Sequence, residues 1–384
     1  MGKYKVISGD GHVEVPIDFS SRVPARFKDL VPKLVRREDG TEHWQMGEYI
    51  RENIGNLYCD LSFDQFTPNN TQRYHFNDGT SRPGTGDAVQ RLREQDKDGI
   101  DAEVLFFPIF GPAFLRKLMP KNKDAYLACV QAYNTFLGQE YCAVAPDRLI
   151  GNAMMPECGV DDAVAEMERC RKMGLRAVSL TMWPNGAPDP KPELDDRFWA
   201  ALLDTDMKLS PHVNFGGPIH AAESPTAEMA VSGSGATTMT GGTIGRLILH
   251  GTLDRFPKLR MYFAETQCSW LIHALNNRLD EVYLRWHRYY DLKLKKLPSE
   301  YWREHCMFGF IIDHTAMKLR DYIGTDMMAW GSDFPHSMGT YPVSHEMLDD
   351  MFEGATEADR KKVLVDNMVE FYGLDPNREL TPTP

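Results

Sequence analysis

The stretch Met327-Met328-Ala329-Trp330-Gly331-Ser332-Asp333-Phe334-Pro335-His336 decides how this chain is read. A short apolar run bounded by turn-forming residues reads as a buried strand. Its carboxyl end opens into a loop through glycine, serine and a carboxylate. An acidic residue at the mouth of a late barrel strand can serve both as metal ligand and as general base, which is the reading taken for Asp333. His336, three residues on, is left with three roles: partner of a ligand, substrate contact or further ligand.

Working outward, seven more segments share the strand character of Met327–Gly331: Tyr4–Ser8, Glu103–Phe107, Leu149–Met154, Arg176–Leu180, Leu209–Val213, Arg260–Ala264 and Phe308–Ile312. Helical patterns lie between them. One begins at Asp161 and Asp162, carries Ala163, Met167 and Cys170 on a single face, and closes at Gly174. Asp196–Asp206 and Gly241–Phe256 read similarly, Ser269–Tyr290 is longer, and Glu357–Tyr372 is expected to cover the barrel's end. Eight strands alternating with helices predict an α/β fold, a (β/α)₈ TIM barrel, as one domain over residues 1–384. Val31 to Arg82 and Pro218 to Gly242 fit the repeat poorly and read as inserted loops at the active-site face, and the tail after Asn377 reads as flexible.

Composition narrows the function. The 384 residues are 42% hydrophobic and 26% charged, enough to build a large core. A formal charge of −12 with no local basic cluster argues against nucleic acid as partner. The run Val104–Phe110 contains Pro108 and is far shorter than the roughly 20 residues of a membrane span. Met1–Gly9 has no signal-peptide apolar core, so the expectation is a cytoplasmic protein without membrane partners. Seven cysteines without a C-x-x-C pair point to neither a disulfide framework nor a thiolate zinc site.

Three further motifs carry chemistry. In Ser8-Gly9-Asp10-Gly11-His12 a two-residue alternation sends Asp10 and His12 to the same side of an extended chain, where both can reach one ion. On its own this triplet reads more readily as a loop aspartate capping a turn. In Pro211-His212-Val213-Asn214-Phe215-Gly216-Gly217, His212 ends an apolar strand; core histidine and metal ligand are equally open. In Phe256-Pro257-Lys258-Leu259-Arg260-Met261-Tyr262-Phe263-Ala264-Glu265 a strand delivers Glu265 to the same face, as ligand, metal bridge, acid or base, or as an ion-pair partner of an arginine. Phe107, Trp183, Phe215, Trp270 and Trp330 are near strand ends and read as core or as pocket.

Together, Asp10-x-His12, His212, Phe256-Pro257-x-Leu259 and Gly331-Ser332-Asp333-Phe334-Pro335-His336 resemble the amidohydrolase superfamily. The nearest branch is the "amidohydrolase 2" group related to aminocarboxymuconate semialdehyde decarboxylase. The resemblance runs from about Lys5 to Tyr372. It implies a distorted barrel with metal at the carboxyl ends of its strands, held by Asp10 and His12 in place of paired histidines, by His212 and by Asp333. One departure stands out: Glu265, in Glu-Thr-Gln-Cys, replaces a histidine of the decarboxylase's His-x-Gly-Gly.

The carboxylate-rich set admits zinc, manganese or iron. Two chemistries follow from the resemblance. The first is hydrolysis or nonoxidative decarboxylation of a small organic acid, with Asp333, Glu265 and His336 as catalytic residues. The second is a dinuclear non-heme iron oxygenase acting on a small acid or terpenoid-like substrate, with Glu14, His250 and His336 available to a second metal. A non-catalytic subunit is a third reading. His250 itself reads as a packed helix histidine, and His220 and His314 have no assigned role. A homo-oligomer is expected, with a hetero-oligomer open, and the aromatics near Trp286–Tyr290 offer an interface.

Overall fold

All eight expected segments form strands of one sheet in the computed structural model, which describes residues 4–52, 59–60, 74–76, 78–107, 111–213, 215–216, 239–274 and 278–384. In chain order the strands are β1 (Ile7–His12), an inserted trio β2 (Lys33–Arg36), β3 (Glu42–Met46) and β4 (Tyr49–Glu52), then β5 (Ala102–Phe106), β6 (Leu149–Met154), β7 (Ala177–Ser179), β8 (Lys208–Leu209), β9 (Met261–Phe263), β10 (Cys306–Phe310) and β11 (Met328–Trp330). The large sheet runs β1-β5-β6-β7-β8-β9-β10-β11 with parallel pairing throughout. Helices between the strands cover it outside, as the alternation predicts.

Closure is irregular. No ladder joins β11 to β1. Instead Gly11 bridges Phe334, Asp333 N donates to Asp10 O at 3.0 Å, and His12 N donates to Phe334 O at 2.8 Å. The seam of this distorted barrel therefore runs through the residues expected to carry chemistry.

Two strands depart from expectation for identifiable reasons. β1 begins and ends later than Tyr4–Ser8, so Asp10 and His12 lie inside it. Its glycines answer to crowding: a Cβ on Gly11 would stand 2.1 Å from Glu103 Oε1. β8 stops at Leu209 because Pro211 has no amide hydrogen to give a ladder. The chain keeps its course through Ala264 N donating to Pro211 O at 3.0 Å and a bridge between His212 and Ala264.

Within the Val31–Arg82 insertion, β2, β3 and β4 make a three-stranded antiparallel sheet where a loop was expected, while residues 53–58, 61–73 and 77 lie outside the described residues. Residues 239–249 are helical, while most of the Pro218–Gly242 insertion lies outside the described residues. Glu357–Tyr372 is helical along its length, although Lys362–Asp366 is wound as a π-helix. The tail expected to be flexible after Asn377 is pinned to the barrel, with Thr381 donating to Asp147 through N (2.7 Å) and Oγ1 (2.6 Å), and Arg148 Nη1 donating to Thr383 Oγ1 at 3.0 Å. The seven cysteines are free thiols. Trp286, Tyr289 and Tyr290 are exposed together on the outer surface. Among the described residues no helix is long and apolar enough to cross a membrane.

Candidate metal centre

Asp10 and His12 leave β1 on the same side, as alternation requires. The His12 ring is oriented by its Nδ1, 3.0 Å from Phe107 O. That carbonyl holds the neutral ring's proton on Nδ1 and turns the Nε2 lone pair inward. His12 Nε2 lies 3.8 Å from Asp10 Oδ1 and 3.4 Å from Asp333 Oδ1. From beyond β8, His212 brings Nε2 to 3.5 Å from Asp10 Oδ2 and 3.4 Å from Glu265 Oε2. The edge of Phe106 packs on the His212 ring at 5.0 Å, which fixes it from the apolar side.

Glu265 and Asp333 enter through an unusual backbone. Both have left-handed φ values, 57° and 55°. For residues other than glycine this costs on the order of 1–3 kcal/mol each. Local hydrogen bonds impose it: Asp333 N is tied to Asp10 O, and the amides of Thr266 and Gln267 both donate to Gly309 O at 2.9 Å. The turn after each strand thus swings its carboxylate into the barrel mouth.

The donor set fits a cation. Both Asp10 oxygens, His12 Nε2 and His212 Nε2 are buried with no hydrogen-bond partner. Leaving such groups unsatisfied costs about 1–3 kcal/mol apiece, more for a charge, so a cluster of them calls for a ligand. Three groupings have ligand atoms within 4.8 Å of one another: Asp10, His12 and His212; His12, Asp333 and His336; and Asp10, Glu265 and Asp333. The groupings share members and so form one contiguous cluster. Mixed imidazole and carboxylate donors suit zinc, manganese or iron.

The electrostatics agree. Burial, reinforced by Asp333, pushes Asp10 up to about 8. Burial and the same neighbour raise Glu265 to about 8, although its side chain keeps 29% exposure. Burial drops His212 to about 4. Burial works against Asp333 too, but His336 and His12 hold it below the usual carboxylate range. His336 Nδ1 is 2.9 Å from Asp333 Oδ1, and that carboxylate raises His336 against the opposing effect of burial. The His336 ring stacks on His12 at 4.1 Å.

The structure therefore brings all six candidate residues together. The other candidates separate. Glu14 is buried but belongs to none of the three groupings. His250, read as a packed helix residue, is exposed at the end of an outer helix and also belongs to none. His314 is on the surface near Asp350, and His220 lies outside the described residues. Of the aromatics, Phe107 remains at the centre, 6.3 Å from His212, whereas Trp330 is core, its Nε1 donating to Ile311 O at 3.2 Å. Sequence reading missed an ion pair behind the seam, Arg91 with Glu103. The signal available for it was a run of polar residues at helical spacing, Arg91, Glu94, Gln95 and Asp98, which reads equally as a solvated face.

Comparison with known proteins places the chain. Residues 75–374 match the family model described as Amidohydrolase. The chain is 25% identical over 307 residues to a 2-amino-3-carboxymuconate-6-semialdehyde decarboxylase of Dictyostelium discoideum, covering 76% of this chain and 77% of that one. An amidohydrolase from Mycobacterium avium subsp. paratuberculosis has the same fold, with TM-score 0.73 and 19% identity over 97% of this chain and 100% of that one. So does a 5-carboxyvanillate decarboxylase from Novosphingobium aromaticivorans, complexed with manganese and 4-hydroxy-3-methoxy-5-nitrobenzoic acid (TM-score 0.64, 18% identity, 97% of each chain). With its barrel and the matched span of 300 residues, this chain belongs to the amidohydrolase family.

Proposed function

We propose that the chain is a metal-dependent decarboxylase that removes the carboxyl group of a small organic acid without net oxidation. The observation that carries this reading is the buried, unpartnered donor set of Asp10, His12 and His212 beside two protonatable groups, Glu265 and His336. The decarboxylase among its relatives and the manganese-bound decarboxylase of like fold support it. Asp10, His12, His212 and Asp333 would hold the ion. When bound, a divalent ion supplies positive charge that orients an anionic substrate and stabilises negative charge as the bond to the carboxyl carbon breaks.

The chain's own residues supply the rest. Loss of CO₂ leaves an electron pair on the carbon that carried the carboxyl group, and that carbon must take a proton. Glu265 is suited to give it: its raised pKa keeps a proton on the carboxyl group near neutral pH, and its exposed edge lets solvent refill it. Asp333, 2.9 Å from His336 Nδ1, raises His336 against burial and so favours its imidazolium form, which would bring positive charge to the opening. Phe107, partly exposed beside His212 with Phe106 buried behind it, presents an apolar wall to a planar substrate and keeps water from the reacting carbon. Glu265 thereby takes over proton handling from the histidine found at this place in the decarboxylase motif.

The test is CO₂ release. Protein loaded with manganese or zinc is incubated with a panel of hydroxybenzoic and unsaturated carboxylic acids, and bicarbonate is measured by a coupled assay. Metal-dependent release that His212→Ala abolishes supports the reading. Cleavage of esters or amides without CO₂ from any acid would move the function to hydrolysis, and substrate-dependent oxygen uptake would move it to the oxygenase. The exposed Trp286, Tyr289 and Tyr290 fit the expected homo-oligomer, which sedimentation equilibrium tests.

A further inference from the structure

We propose that Arg91 is a positioning residue for the metal centre, locking the β1–β11 seam through the backbone carbonyls of His12 and Phe334. The inference rests on reading Asp10, His12, His212 and Asp333 as the residues that hold a metal.

Arg91 belongs to the helix Ala88–Asp98, which starts where Asp87 Oδ1 accepts from Gln90 N at 2.9 Å and ends at Gly99 with φ 72°. A helix on the outside of a barrel ordinarily turns an apolar stripe inward. This one buries a polar stripe at positions i, i+3, i+4 and i+7: Arg91, Glu94, Gln95 and Asp98. Each is repaid by a specific partner. Gln95 Nε2 donates to Glu103 Oε2 at 3.1 Å, Glu94 accepts from Gly84 N at 3.2 Å, and Asp98 accepts from Ser344 N at 3.0 Å. Two of these contacts hold the segments on either side of the opening, before the helix and after Asp333.

Arg91 reaches furthest. Its Nε donates to Glu103 Oε2 at 2.8 Å, Nη1 to His12 O at 3.0 Å and Nη2 to Phe334 O at 3.2 Å. Its guanidinium also lies over the Phe334 ring, 4.4 Å from the centroid. The two carbonyls come from opposite sides of the seam, one on a candidate ligand and one on the residue after Asp333. A planar fork with five donors can serve three separate acceptors at once, whereas a lysine ammonium at the same depth cannot span them. Gly11 makes the space, since a Cβ there would stand 2.8 Å from Arg91 Nη2 as well as against Glu103. The seam is also held by two backbone hydrogen bonds and by Ser332 N donating to Ser8 Oγ at 2.9 Å. Among the described residues, though, the guanidinium alone joins the carbonyls of His12 and Phe334 from behind, and so helps to set how closely His12 Nε2 approaches Asp333 Oδ1 across the seam, 3.4 Å.

The test compares the wild type with Arg91→Lys and with the double variant Arg91→Met/Glu103→Leu. The lysine variant keeps the charge but loses the fork. The double variant removes both charges, so no uncompensated ion stays buried. Manganese affinity is measured by calorimetric titration, the visible absorption of bound cobalt reports the ligand arrangement, and thermal unfolding without metal reports the fold. We expect cooperative unfolding in both variants, manganese affinity about 10- to 100-fold weaker, as for other groups that orient metal ligands, and an altered cobalt spectrum. A variant that unfolds cooperatively yet binds manganese with wild-type affinity and an unchanged cobalt spectrum would overturn the positioning role. If the double variant does not fold, Arg91→Lys decides the question by the same criteria. A wild type that takes up neither metal would overturn the metal reading itself, and with it this proposal.

Discussion

Raising the pH from 6 to 8 is expected to tighten metal binding steeply. In the metal-free chain Asp10 and Glu265 are both raised to about 8, by burial first and by Asp333 second. A carboxylate must lose its proton to ligate, so uptake of a cation at pH 6 has to expel protons. For one group at about 8, the ionised fraction rises about 50-fold between pH 6 and 8, worth about 2 kcal/mol. His212, dropped to about 4 by burial, is already neutral across this window and releases nothing.

Stability of the metal-free chain should run the other way. The folded pKa values of Asp10 and Glu265 exceed their ordinary values of 3.8 and 4.5, so the unfolded chain loses these protons first. Stability from this source is therefore full below about pH 4 and is lost as pH climbs toward 8. Manganese titration calorimetry in buffers of different ionisation enthalpy measures both affinity and the number of protons released. An affinity that is flat or falls from pH 6 to 8, with no proton release, would refute the reasoning. Asp10→Asn should remove at least one of the released protons.

Four other outcomes are expected. Glu265→Gln should retain about one ion per chain by elemental analysis while turnover falls about 10²- to 10⁴-fold, the usual worth of a proton donor. His212→Ala should lose the metal with an unchanged far-UV circular dichroism spectrum, because the barrel core lies elsewhere. Gly331→Ala would put a Cβ 2.6 Å from Asp10 Cβ, so urea unfolding should show a loss of about 1–3 kcal/mol and metal affinity should weaken with it. Ending the chain at Asn377 removes the two donors that Thr381 gives to the buried Asp147, and should cost about 2 kcal/mol in the same urea assay.

Much of this architecture is legible in the sequence because parallel strands buried on both faces are short apolar runs, and Leu149–Met154 shows how closely such a run matches its strand. Ligand candidates are legible for a related reason: a polar residue directly after an apolar run, such as Asp333 or Glu265, has few places to be except the barrel mouth. What escapes the sequence is mostly mediated by backbone. Gly9 and Gly11 announce a turn, yet the strand runs through them because neighbouring side chains occupy the room a Cβ would need. Arg91 escapes because an inward polar stripe has the same spacing as an outward one, and only the carbonyls of His12 and Phe334 tell which way it faces. The inserted sheet β2–β4 escapes because Glu42, Arg51 and Glu52 give it the charge of a loop. The tail escapes because its anchors, Asp147 and Arg148, are more than 200 residues away in sequence.

Metal content per chain, counted for zinc, manganese and iron together in protein purified without chelator, tests the central claim most directly. The account predicts about one divalent ion per chain, absent from His212→Ala. A chain with no bound metal would contradict the account, and two ions including iron would contradict the single centre and favour the oxygenase.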